Sequence, residues 1–174
     1  MALFAARRFP DAIVASRHAL TIDSTFVPGV AALGLMLAFG GQPDSAIVTL
    51  ERSLRQHPNH PRLASALVFA YARAGRWEDA ARIREQLHRP GGDVTGGVDA
   101  AIADLVYGDR EPLLRMLTDR AGQRHYMGAG GWLGCNPMLD PLRSDAHFRA
   151  AMRELAVENC ALARPWPLPP RPGS

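Results

Sequence analysis

The chain has 174 residues with 47% hydrophobic and 21% charged positions, enough for one soluble domain's core or for a short repeat array. All 20 basic residues are Arg, so a catalytic Lys, a Schiff base and a phosphate-binding P-loop are excluded, and the net charge of +3 is mild. Two cysteines, Cys135 and Cys160, make neither a disulfide framework nor a zinc site.

Taken from the N-terminus, Met1 to Asp11 (MALFAARRFPD) places its arginines after the apolar run, which is not the order of an export signal. The chain then repeats itself. At an offset of 34, Ala12, Ala46 and Ala80 fall in register behind RRFPDA, GQPDSA and GRWEDA. Gly41 aligns with Gly75, Leu33 with Leu67, Ala32 with Ala66, and Ala38 with Ala72. Apolar residues at helical spacing predict helices over about 28–39 and 61–74, each followed by a Gly-containing turn and a second helix, over about 43–56 and 76–88. Pro43 suits a first helical position, and Asp44 and Glu78 suit the positive end of a helix. Small Ala46 and Ala80 permit close approach of two antiparallel helices. Pro58 and Pro61 separate one hairpin from the next.

These stretches resemble tetratricopeptide repeats. Gly34, Ala46, the run Gly75-Arg76-Trp77-Glu78-Asp79-Ala80 and the closing His57-Pro58-Asn59-His60 fill that family's pattern, while Arg84 occupies a place that is usually apolar. The resemblance implies an all-α fold, a right-handed superhelical array of antiparallel helix hairpins with a C-terminal helix and a Pro-rich tail. Its units are expected at 1–26 (partial), 27–60, 61–94 and 95–127 (degenerate), then a closing loop and helix at 128–160 and an extended tail at 161–174. The partial first unit, with its apolar start, leads to the expectation of a C-terminal piece of a longer protein, or of a unit completed by a partner.

After Pro90, PGGDVTGG reads as a connector, and helices are expected at 98–107 and 111–120 around Gly108. Trp132 and Leu133 are expected to pack beneath a bend in the Gly-rich run that follows. Ser144 is expected to cap a last helix whose Phe148, Met152 and Leu155 share one face. The run from Asp140 to Phe148 (DPLRSDAHF) resembles the closing motif of repeat tails in bacterial multidomain regulators, where such arrays follow winged-helix, Ser/Thr kinase, cyclase or TolB-like segments. Five prolines between 165 and 172 suggest a polyproline II tail that Trp166 can pin.

No residue set points to catalysis, to a cofactor or to a metal. The six His are scattered, and His57 and His60 flank prolines with no further ligand nearby in sequence. Asp93, Asp99 and Asp104 read as loop or helix-start acids. The Arg-rich stretch from Arg52 to Arg89 reads as a solvated outer face, since aromatic–basic interleaving is missing; an accessory nucleic-acid surface is the weakest alternative. What the resemblance implies is a non-catalytic protein-interaction or scaffold module, cytoplasmic unless it follows a transmembrane helix. Its first helices would line a concave face, placing Ala31, Leu35, Ala38, Phe39, Arg62, Ser65, Phe69, Ala72 and Arg73 in a groove for a peptide or partner helix. Self-association through the partial first unit, giving a homodimer, is the alternative.

Overall fold

The computed structural model describes residues 2–89, 94–118 and 135–154. The sequence-predicted bend at Trp132 and Leu133 and the Pro-rich tail with Trp166 lie outside these residues.

Every regular element among the described residues is helical. In order they are α1 (Ala2–Ala5), α2 (Phe9–Ile22), α3 (Val27–Phe39), α4 (Pro43–Gln56), α5 (Pro61–Arg73), α6 (Trp77–Leu87), α7 (Val94–Val106), α8 (Glu111–Thr118), a 3-10 segment (Pro137–Leu142) and α9 (Ala146–Glu154). Helices α2 to α5 each carry a Pro in the first two positions, and none of the four has a side-chain hydrogen bond at its N-cap. The fixed φ of Pro therefore sets where these helices begin, at positions whose N–H would go unpaired in any case.

The hairpin turns are set by glycine. Gly41, Gly75 and Gly108 have φ of +79°, +74° and +84°, a conformation that costs other residues energy. Their spacing, 34 then 33 residues, fixes the period of the array. Within the hairpins close approach is literal. A Cβ at Gly34 of α3 would lie 2.5 Å from Leu50 Cγ of α4, while Ala46 and Ala80 are fully buried at the same kind of contact.

Packing follows the repeat. Helix α5 touches α3 and α7, the first helices of its neighbours, as well as α4 and α6. Helix α3, apolar on all sides (VPGVAALGLMLAF), is correspondingly covered by α2, α4 and α5. A run of aromatic rings ties three units together. Phe39 stacks on Phe69 at 4.4 Å and meets Phe4 edge-on at 5.3 Å, and Phe9 lies 5.6 Å from Phe39. A second core, with Leu105, Leu113, Leu117, Leu139, Leu142 and Phe148, joins α7 and α8 to the closing segment.

Three expectations need correction. Helix α7 begins at Val94, so the end of the expected connector is helical; packing on α5 carries the helix through Gly96 and Gly97 despite their entropic cost. The cap of α9 is Asp145, whose Oδ1 accepts from the N–H groups of His147 and Phe148 at 2.8 and 3.2 Å, and not Ser144. Cys135 is disulfide-bonded, and Cys160 lies outside the described residues.

Candidate functional site

The closing segment returns to the start of the chain. Arg7 follows α1 with a φ of 60°, and its guanidinium donates to Asp140 Oδ1 at 2.6 Å across 133 residues of sequence. Asp140 is buried in the 3-10 segment and also accepts from Arg143 Nε at 2.6 Å. Two cations on one buried carboxylate offset the desolvation that would otherwise make it costly. Met138 of the same segment joins the core cluster that contains Phe4 and Phe9. The start of the chain and the 3-10 segment thus meet over the face shared by α3, α5 and α7.

Between them lies a cavity of about 710 Å³. Its walls are mostly apolar: Leu20, Ala31, Ala32, Leu35 and Met36 on one side, Val98, Ile102, Leu113 and Leu117 on the other, with Met138 and Leu139 closing it. Arg62 and Asp23, both exposed, stand where it meets solvent.

Four of the nine sequence-predicted groove residues line this cavity: Ala31, Leu35, Arg62 and Ser65. The other five do not, and of these Ala38 and Ala72 are fully buried in the core. Phe39 and Phe69 are each 2% exposed and stacked on one another, so the core claims them. Arg73, in the last turn of α5, is half-buried, and that burial lowers its pKa.

Sequence reasoning missed the acids. Asp99 and Asp104 are neither loop nor helix-start residues; both lie within α7 and both are buried, at 7% and 2% exposure. Asp104 accepts from Arg84 Nε at 2.6 Å and meets His88 Nε2 at 2.8 Å, joining α6 to α7. Arg84 also lies 4.7 Å over the Tyr107 ring, so its place in a normally apolar position has a structural use. His88, one of the six scattered histidines, is therefore engaged.

Asp99 is different. It lines the cavity, and among the described residues its carboxylate has no hydrogen-bond or ion-pair partner. Burial pushes it up to about 6, with the Arg62 charge acting weakly the other way. A signal for it existed: counting back from the turn glycines, Asp99 stands where the two preceding units have Ala66 and Ala32.

Tyr71 has a simpler role. It donates to Glu51 Oε1 at 2.5 Å, and burial and that carboxylate push its pKa up to about 12. No group of three or more His, Cys, Asp or Glu among the described residues is arranged to hold a metal ion. No described helix is long and apolar enough to cross a membrane.

No curated protein and no solved structure matches the chain. The family model described as tetratricopeptide repeat matches residues 40–93, which span α4, α5, α6 and the turns between them. Over that segment the chain is similar to the tetratricopeptide repeat family, and its described residues form an all-α helical repeat array of that type.

Proposed function

We propose that this array is a non-catalytic interaction or scaffold module that holds a segment of a protein partner on the face of α3 and α5, as part of a larger bacterial regulator. One observation carries the reading. Ala31, Leu35, Arg62 and Ser65, which belong to successive units, line a single concave space. Its apolar floor suits aliphatic side chains, and Arg62 at its edge suits a carboxylate. The 3-10 segment narrows this face, and a whole helix is about 10–12 Å across, so an extended peptide fits the space better. Phe39 and Phe69 contribute by holding the two helices in register, without contact to the partner.

Selection from a displayed library of random peptides tests this reading. Selected peptides should bind the unaltered protein and lose at least tenfold in affinity for Arg62→Glu, an exposed substitution that leaves the core intact. Peptides that bind Arg62→Glu and Leu35→Gln as well as the unaltered protein would place the interaction elsewhere.

A second reading, self-association, has its own observation. Val14, Ile22 and Phe26 are 69%, 82% and 54% exposed around the first unit. A second copy could cover them. Light scattering across a dilution series separates the two readings, because a dimer through this patch dissociates on dilution and on Ile22→Asp substitution.

A further inference from the structure

We propose that the cavity is a binding site for a small apolar amine, whose ammonium group is received by Asp99 and whose hydrocarbon body fills the space between Leu35, Met36, Ile102 and Met138. The proposal does not rest on a protein partner, and the peptide proposed above would occupy part of the same cavity.

The cavity's other polar groups are largely spent. Ser16 donates to Met36 Sδ at 3.0 Å, Asn136 Oδ1 accepts from the Met138 N–H at 3.0 Å, and Asp23 accepts from both the N–H and the hydroxyl of Thr25. Asp99 alone is a buried carboxylate facing the space with no hydrogen-bond donor supplied by the described residues. A buried charge without a donor is costly, and folded proteins avoid it unless something else occupies the position. The repeat makes the cost conspicuous, since Ala serves at the equivalent positions, Ala32 and Ala66, and packing alone would be met by Ala here too.

Charge and size select the ligand. Among the residues lining the cavity the charged ones are Asp99 on α7, Arg62 on α5 and Asp23 after α2, which give a net negative charge when Asp99 is ionised. An ammonium ion satisfies Asp99 with charge-assisted hydrogen bonds, while a carboxylate placed as deeply would be repelled. About 710 Å³ lies within the range of roughly 300–1,000 Å³ that takes a drug-sized molecule. The walls offer hydrocarbon for an aliphatic or aromatic body.

The probes are hexylamine, 1-hexanol and hexanoate, which share a six-carbon chain, titrated calorimetrically at pH 7.5. Hexylamine should bind one molecule per chain, about 10- to 100-fold more tightly than hexanol, as a hydrogen bond to a charged group implies. Hexanoate should bind more weakly than hexanol. In Asp99→Asn, hexylamine should fall to the level of hexanol while hexanol keeps its affinity, which also shows that the cavity is intact. Arg62→Gln should tighten hexylamine binding by removing a competing cation. Equal binding of the three probes to the unaltered protein, or binding of none, overturns the proposal. So does Asp99-dependent capture of a lysine-bearing peptide without any binding of hexylamine, which would assign the carboxylate to a protein partner.

Discussion

Replacing Asp99 by Asn should stabilise the protein near neutral pH and do progressively less as the solution becomes acidic. In the fold the Asp99 carboxyl titrates at about 6, against an ordinary value of 3.8. Its folded pKa is raised, so the folded state holds this proton more tightly than the unfolded chain does. Its effect is absent below pH 4, appears as a loss of stability while pH rises from about 4 to 6, and is constant above that. Raising a carboxyl's pKa by one pH unit costs its ionised form about 1.36 kcal/mol, so the full cost at neutral pH is about 3 kcal/mol. Between pH 4.5 and 7.5 about 2 kcal/mol of that cost should develop. Asn has a similar shape and no charge, so urea denaturation of both proteins at a series of pH values isolates this contribution. The stability advantage of Asp99→Asn should grow by about 2 kcal/mol across that interval, because titrations elsewhere cancel in the difference. A difference that stays flat with pH would mean that the carboxylate is hydrated or paired, and the argument from its burial would fail.

Two other perturbations test the scaffold. Gly34→Ala should destabilise by about 1–2 kcal/mol, because overpacking against Leu50 at 2.5 Å outweighs the gain of up to about 1 kcal/mol in helix propensity. Gly97→Ala should stabilise by about 0.5–1 kcal/mol, because its nearest neighbour would be Met116 Cε at 3.9 Å; thermal melts read both, and equal signs would contradict the close α3–α4 contact. Asp140→Asn, which removes the carboxylate charge that Arg7 and Arg143 share, should cost about 3–5 kcal/mol and raise amide exchange across Pro137–Leu142. Unchanged exchange there would show that the ion pair to Arg7 does not hold the closing segment.

Residues that repeat were the most readable. Gly41 and Gly75 recur because a left-handed turn needs glycine at each hairpin, and Ala46 and Ala80 because two helices cross closely at each, so one sequence offset reveals both. Helix α4 was readable to the residue, since Pro43 opens it and the polar run beginning at His57 follows it. What could not be read depends on contacts between distant units. Phe39 and Phe69 occupy groove positions by register, yet the ring of Phe4, contributed from the opposite end of the first unit, draws them into the core. Asp140 and Arg7 are 133 residues apart and share no periodicity. Asp104 was hidden because its partners Arg84 and His88 lie in the preceding helix and its C-terminal turn, 20 and 16 residues away. Asp99 lay within reach: comparing the third unit with the first two shows an acid where Ala is repeated. Reading it as a helix-start residue followed from placing the start of α7 four residues too late.

The central claim, that the first-helix faces and the closing segment enclose one ligand-holding cavity, is tested most directly by methyl NMR during a hexylamine titration. Met36, Ile102 and Met138 come from three separate elements and line the same space, so their methyl signals should shift together along one saturating curve. Shifts confined to Val14, Ile22 and Val48 on the exposed surface, with these three signals unmoved, would contradict it.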